Sequence, residues 1–463
     1  MNQIANSYGA RDIAYHLHGY TNAVLHEQTG PLVLTHGKGV CVFDENGKEY
    51  IEGLAGLWCA SLGFSEPRLA EAAMAQFKKL PYYHTFAHKA PSVTVDLAER
   101  LIKMAPVPMS KVFFANSGSE ANDTAIKIIW YYNNAIGRPK KKKIISRIKA
   151  YHGVTVASAS LTGLPNNHRD FDLPIAGILH TDCPHYYRYG KDGESEEAFA
   201  TRCAENLEKT ILAEGPDTVA AMFAEPVMGA GGVIVPPKTY FEKIQAVLKK
   251  YDVLLVADEV ICGFGRTGNM FGTETFGLKP DIMTVAKALS SAYLPISGVF
   301  INDKVYAALR EDSGRIGTFG HGFTYSGHPI SAAVALETLN IYEERDILSQ
   351  VRRVMPTFQA ELRRFADHPL VGETRGVGLV GAIELVKNKR TKESFDPKQG
   401  VAFRTMMAAQ ANGLLVRAIL DCIAFCPPLI ITEAEIVEMF RRFRKALDET
   451  HAAMQSEGLV SVA

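Results

Sequence analysis

Two short apolar runs, each closed by an ionisable side chain, limit the fold of this chain most. One is Val253-Leu-Leu-Val-Ala-Asp258-Glu-Val260; the other is Asp281-Ile-Met-Thr-Val-Ala-Lys287. Runs this short, apolar throughout and rich in β-branched residues, read as strands buried on both faces of a parallel sheet. Ligands of open α/β sheets bind just beyond the carboxyl ends of the strands, and Asp258 and Lys287 both fall there. Taken singly, each has an ordinary explanation. A strand-terminal Asp commonly caps the next helix, and most lysines are solvated.

The rest of the chain repeats the pattern. Strands are expected at Lys111-Val-Phe-Phe-Ala115, at Lys143-Ile-Ile-Ser-Arg147, and near 219–225, 253–258, 281–285 and 297–301. Helical stretches lie near 67–80 and 92–105, and from Asn116 through Trp130. Such alternation implies crossover connections and a mainly parallel sheet, an α/β fold. Upstream, alternating apolar residues around Asn46-Gly47 predict a hairpin. Beyond about residue 330 the pattern turns to helices (331–345, 347–366, 433–452) with strand pieces at 378–385, 414–417 and 423–425. The expected division is a large ligand-binding domain over 61–329 and a smaller α+β domain over 330–463, which residues 1–60 join. Gly376-Val-Gly378-Leu-Val-Gly381 spells a dinucleotide fingerprint, but it opens an apolar run instead of linking a strand to a helix. A twisted strand with close-packed glycines is expected there.

Composition removes several classes of function. The 463 residues are 47% hydrophobic and 22% charged, with zero formal net charge, which argues against a nucleic-acid partner. The basic run Lys140 to Lys143 reads as a solvated turn. No apolar stretch approaches the roughly 18 residues that span a bilayer. The opening Met1-Asn-Gln-Ile-Ala-Asn-Ser-Tyr8 has neither the basic nor the apolar region of a signal peptide. Seven scattered cysteines fit reduced thiols and a cytoplasmic location. Cys422 and Cys426 lack a second pair, and His84 and His88 lack an adjacent third ligand. Histidines also stand early, at 16 and 18, and no metal site is expected.

Other residues give the Asp–Lys pair its meaning. Asn116-Ser117-Gly118-Ser119-Glu120 sits where a strand becomes a helix, and free N–H groups at such a start bind anions. Ser119 is expected to cap that helix or to reach a phosphate. Tyr151-His152-Gly153 ends another strand, with an aromatic face able to stack on a ring. Glu225 closes the run before Pro226 and is expected to accept a hydrogen bond near that ring. Gly263-Phe-Gly265-Arg-Thr-Gly268 reads as a flexible loop. A buried carboxylate needs a hydrogen-bonding or cationic partner, and a lysine beside a dry pocket bonds readily to an aldehyde carbon. With a phosphate cradle added, the pair suits pyridoxal 5'-phosphate (PLP), lysine at the aldehyde and aspartate at the ring nitrogen.

Asn116-Ser-Gly-Ser-Glu-Ala-Asn122, Tyr151-His-Gly153, Glu225-Pro-Val227, Asp258-Glu-Val260, Gly263-Phe-Gly-Arg-Thr-Gly268 and Lys287-Ala-Leu-Ser, in this order, resemble the class III aminotransferases. The resemblance implies a fold-type I PLP-dependent transferase, a homodimer or a dimer of dimers. It implies Lys287 as the covalent attachment point and base, and Asp258 as partner of the ring nitrogen. Ser117, Gly118 and Ser119 would hold the phosphate, Tyr151 and Val260 would flank the ring, and His152 and Glu225 would lie close by. Thr324 would reach the phosphate in the neighbouring subunit. Leu57, Trp58 and Arg417 resemble ω-aminotransferases that use pyruvate, the guanidinium taking a carboxylate; Tyr20 and a partner's Phe86 would complete the pocket. The implied reactants are a small-molecule amine donor and a keto acid acceptor. Alternatives are 4-aminobutyrate, ornithine or diamine transfer to 2-oxoglutarate, an aminomutase, or a non-enzymatic PLP-sensing regulator.

Overall fold

The computed structural model describes residues 6–460. Residues 1–5 and 461–463, which the expected domain bounds include and where most of the signal-peptide reading was made, lie outside the described residues.

Seven strands form the central sheet: β1 (Lys111–Ala115), β2 (Lys143–Arg147), β3 (Ile178–Thr181), β4 (Val219–Ala224), β5 (Leu254–Asp258), β6 (Ile282–Val285) and β7 (Ser297–Ile301). Their spatial order is β1-β7-β6-β5-β4-β2-β3. β2 to β6 pair in parallel, whereas β7 runs antiparallel to both β6 and β1. All six expected strands are found, with ends moved by a residue or two, as helix and strand ends commonly are. Hydrophobicity does not encode strand direction, so the reversal of β7 was not foreseeable from its pattern. β3 and three amphipathic helices (Glu196–Glu214, Tyr240–Lys250, Asp303–Ile316) fall in stretches not singled out above.

Alternate residues of β5 serve opposite faces. Leu254 and Val256 pack with Ala121, Ala125 and Ile129 of the helix Gly118–Ala135, while Leu255 and Ala257 face the larger core beneath. Side chains two apart share a face, so Asp258 falls on the side of that helix. The pleat thus decides what Asp258 meets.

The Asn46-Gly47 hairpin is present, joining Cys41–Asp44 to Glu49–Glu52. Ile51 and Glu52 also pair in parallel with Leu414 and Leu415, so the two ends of the chain share one sheet. The strand expected at 414–417 splits at Val416, and Arg417–Ile419 joins a different antiparallel sheet with Cys422–Phe425. The Gly376 to Gly381 stretch is a hairpin, with Val371–Val377 turning back into Val380–Leu385. Gly378 has φ +57°, and a Cβ there would lie 2.4 Å from the Arg266 carbonyl oxygen. Only glycine makes that turn so close to another backbone.

Two further expectations change. The loop Gly263 to Gly268 is buried and held: Arg266 Nη1 donates to the carbonyls of Leu379 (3.0 Å) and Pro427 (2.6 Å), and the Tyr342 hydroxyl donates to Phe264 O. In the basic run only Lys140 is exposed. Lys141 is buried and donates to the carbonyls of Pro216 and Tyr251, while Lys142 and Lys143 also bind carbonyl oxygens. These ammonium groups satisfy backbone acceptors that would otherwise be orphaned. No helix among the described residues is long and apolar enough to cross a membrane.

Candidate active site

Register brings the first part of the site together. In the parallel pairing of β5 with β6, Asp258 lies opposite Thr284. Asn122, one turn into the helix Gly118–Ala135, reaches both strands: its Nδ2 donates to Asp258 Oδ2 (2.8 Å) and to His152 O (2.7 Å), and its Oδ1 accepts from Thr284 Oγ1 (2.9 Å). His152 Nδ1 lies 2.7 Å from Asp258 Oδ2, and the Val260 amide donates to Oδ1 at 3.1 Å. Asp258 is buried, yet Oδ1 keeps capacity for another donor.

The helix start supplies the anion site. Ser117, not Ser119, is the cap, its Oγ accepting from Glu120 N. Ser119 Oγ instead accepts from the Val154 amide at 3.0 Å, tying the loop after Tyr151 to the helix. The Gly118 and Ser119 amides have no acceptor among the described residues, so the positive end of an 18-residue helix points two free donors outward. Gly153 permits this close approach: its φ is +132°, and a Cβ would come within 2.4 Å of Ser119 Oγ.

Lys287 begins a short 3-10 turn directly after β6. Its φ of +49° is left-handed, a conformation costing a non-glycine residue roughly 1–2 kcal/mol. Strain of this kind collects at working sites. Burial pushes the Lys287 amine below its ordinary value, and the nearby Asp258 carboxylate opposes the shift. A cavity of about 310 Å³ lies between these groups, and Ser117, Gly118, Ser119, Tyr151, His152, Glu225, Asp258, Val260 and Lys287 all line it. Because β7 is reversed, its beginning faces the same edge, and Leu294, Pro295 and Ile296 join the wall. Glu225 is buried and braces the backbone: Oε1 takes the Tyr151 amide and Oε2 the Gly229 amide, both at 3.0 Å. It sets the backbone of the Tyr151 loop.

The remaining residues lie farther out. Arg417 and Tyr20 stand beside Tyr151 at the edge of the cavity without lining it. Burial lowers the Arg417 guanidinium from its ordinary value, and the Tyr151 and Tyr20 hydroxyls are the groups that oppose this. Arg417 has no carboxylate partner among the described residues. Left-handed backbone at Ala55, Gly56 and Trp58 turns that segment sharply. It leaves Leu57 at 51% exposure and buries Trp58 to 2% against Leu54, Val227 and Ile261. Neither lines the cavity in the single chain. Thr324 and Phe86 are exposed and border a different surface, where the Tyr82 hydroxyl donates to Thr324 O.

The family Aminotransferase class-III matches residues 23–447. The chain belongs to the class III aminotransferases. It is 53% identical over 426 residues to gamma aminobutyrate transaminase 1, mitochondrial, of Solanum lycopersicum, which covers 92% of this chain and 83% of that protein. The crystal structure of the omega transaminase from Pseudomonas jessenii in complex with PMP superimposes with a TM-score of 0.96 at 55% identity, over 98% of this chain and 100% of that one. A thermostable omega transaminase variant, PjTA-R6 W58M/F86L/R417L, engineered for asymmetric synthesis of enantiopure bulky amines, gives 0.95 at 55% identity over 96% and 99%.

Class III aminotransferases use PLP, and the cavity of this one fits that cofactor. Free amides at a helix start suit its phosphate, Asp258 has a free lone pair for a protonated ring nitrogen, and a desolvated amine stands at Lys287. Asn122 and Cys59, which also line the wall, carry no expected role in the sequence pattern. Asn122 sits in the quoted motif, but a polar residue inside a helix reads as solvent-facing, and only register shows it to be a brace. Asn122→Ala removes two donated bonds and strands the Thr284 hydroxyl, about 1–3 kcal/mol. We expect PLP to bind roughly tenfold more weakly, followed by fluorescence titration of the apoenzyme. A dissociation constant within about twofold of wild type would show that Asp258 needs no such brace.

Proposed function

We propose that this aminotransferase carries an amino group from an amine or ω-amino acid to a keto acid, with pyruvate as acceptor, by a ping-pong cycle. One observation carries the acceptor assignment: Arg417, partly buried beside Tyr151, has no acidic partner among the described residues. A desolvated guanidinium awaiting a carboxylate suits an acid that binds and leaves. A single arginine offers one clamp, which favours a monocarboxylic acceptor such as pyruvate over 2-oxoglutarate with its two carboxylates.

In this reading Ser117, Gly118 and Ser119 hold the phosphate, and Tyr151 and Val260 flank the ring. Bound PLP supplies an electron sink for the bond broken at the donor carbon. Lys287 Nζ would take the proton from that carbon and give it up on the far side of the amine nitrogen, and its lowered basicity suits a group that must do both. Asp258 Oδ1 keeps the ring nitrogen protonated, while His152 and Asn122 fix the carboxylate through Oδ2. Leu57 and Trp58 border an uncharged amine substituent, with Tyr20 near the entrance. Trp58, Phe86 and Arg417 match in type and number the positions altered in the bulky-amine variant, which supports a substrate-side role for all three. The gamma aminobutyrate transaminase relatives favour 4-aminobutyrate as one donor.

The wider organisation belongs to the same reading. The chain divides into a large domain over 61–329 and a small one over 330–463 with residues 1–60. Two copies pair so that Thr324 and Phe86 of each serve the other's cavity. Their exposure beside Tyr82 and Tyr83 is what such pairing would cover. Seven unbridged cysteines suit a reducing compartment, which we take to be the cytoplasm, although the cited plant relative is named mitochondrial.

A donor panel (β-alanine, 4-aminobutyrate, putrescine, 1-phenylethylamine) run against pyruvate and against 2-oxoglutarate tests the proposal. We expect turnover with pyruvate for several donors; exclusive use of 2-oxoglutarate would overturn the acceptor. Arg417→Ala should raise the KM for pyruvate by roughly ten- to a hundredfold, the worth of a hydrogen bond to a charged group. The half-reaction with 1-phenylethylamine should stay within about twofold. Equal losses in both would mean that Arg417 supports the fold instead of the acceptor.

A further inference from the structure

Ahead of the first hairpin, two short helices, Tyr8–Tyr15 and Ala23–Thr29, bury none of their residues. An apolar core therefore does not explain how they stay together. What joins them is one carboxylate met by three imidazoles. Asp12 Oδ1 lies 3.0 Å from His16 Nδ1, and Oδ2 lies 2.8 Å from His18 Nε2 and 2.9 Å from His26 Nε2. The His18 ring centroid is 4.2 Å from that of His16 and 4.4 Å from that of His26. Except for His16 these side chains are largely withdrawn from water, His26 to 12% exposure.

We propose that Asp12, His16, His18 and His26 form a binding site for a divalent transition-metal ion of the zinc class. Ligand atoms of Asp12, His16 and His18 already lie within 4.8 Å of one another. Around zinc, with bonds of 2.0–2.2 Å to nitrogen and oxygen, neighbouring tetrahedral ligands stand about 3.3 Å apart. The observed nitrogen–oxygen separations are a few tenths of an ångström shorter, His16 to Oδ1 and both His18 and His26 to Oδ2. Asp12, His16 and His18 are the set already drawn together, and His26 swings in to complete the shell. Three nitrogens and one carboxylate oxygen make a set that zinc, copper or nickel takes in preference to calcium or magnesium, which seek oxygen. The ligands come from the first helix, the linker and the second helix, so the ion would clamp a loop that contains Tyr20. Tyr20 is also held by the Asn167 amide, near Tyr151. The site is separate from the PLP cavity and does not depend on the acceptor assignment.

The rival explanation is a purely hydrogen-bonded cluster, and binding stoichiometry separates the two. Untagged, PLP-loaded protein freed of metal by a chelator would be titrated with Zn²⁺ in competition with a chromophoric chelator. We expect one tight equivalent per chain. His18→Ala/His26→Ala should bind at least roughly tenfold more weakly, given that even outer ligands shift metal affinity by 10- to 100-fold. His16→Ala, at the most exposed ligand, is the milder second variant, and it too should weaken binding. Retained PLP absorbance and turnover show that the variants fold. Co²⁺ in place of Zn²⁺ should give visible d–d bands that vanish in the double variant. Wild-type protein that takes up no equivalent overturns the proposal, as does an equivalent bound equally well by both variants, which would place the ion on thiols elsewhere.

Discussion

Lys287→Ala should lower kcat by about 10⁴-fold or more while the protein still folds. Proton transfer by a positioned side chain is itself worth roughly 10²–10⁴, and in the proposed role the variant also loses the amine that would bond to the PLP aldehyde. The position is poorly suited to anything else. Burial disfavours the ammonium, and the left-handed backbone at φ +49° strains a residue bearing a side chain. Alanine relieves the first cost without meeting a new clash, so the melting temperature should hold or rise. Stopped-flow spectra of PLP-loaded protein mixed with 1-phenylethylamine measure the effect directly. A half-reaction at near wild-type rate would remove Lys287 from the chemistry and with it the reading of the cavity. A large fall in the melting temperature with proportional loss of activity would assign it a structural role.

How much of this was legible in the sequence depended on what each residue's neighbours encode. Strands buried on both faces are written as short unbroken apolar runs, which is why β4, β5 and β6 could be placed closely, with Asp258 and Lys287 at their ends. Strand direction has no such signature, so the entry of Leu294 to Ile296 into the cavity wall depends on the antiparallel pairing of β7. The helix start was visible as Ser-Gly-Ser, but two serines two residues apart are equivalent on paper. Only the geometry gives the cap to Ser117 and the Val154 amide to Ser119. Arg417 was singled out through family resemblance, while the change of sheet at Val416 that brings it near Tyr151 leaves no mark in hydrophobicity. Asn122, a polar residue in a helix, carried no signal of burial at all. His16 and His18 stand out early in the sequence, but their meeting with Asp12 and His26 depends on a loop whose path no periodicity reports.

The second large effect is expected at Asp258. Asp258→Asn keeps the shape of the side chain but removes the negative charge and, with its NH₂ on the Oδ1 side, the bond from the Val260 amide. Removing one partner of a buried ion pair costs about 3–5 kcal/mol, which corresponds to roughly 10²–10⁴-fold in kcat/KM. The loss should fall mainly on kcat, because an unprotonated ring nitrogen weakens the electron sink without altering where the amine binds. A second consequence separates this role from mere packing. The Asn122 amide and His152 both meet Oδ2 at 2.7–2.8 Å, so in the variant the amide must turn its oxygen toward them and its NH₂ toward the ring nitrogen. A donor there opposes a protonated ring, whereas a cofactor analogue carrying an N-methyl group in place of that proton should recover part of the activity in Asp258→Asn. Near-normal turnover with ordinary PLP would refute the charge argument. Loss without any recovery by the N-methyl analogue, together with a lowered melting temperature, would assign Asp258 to holding the sheet edge instead.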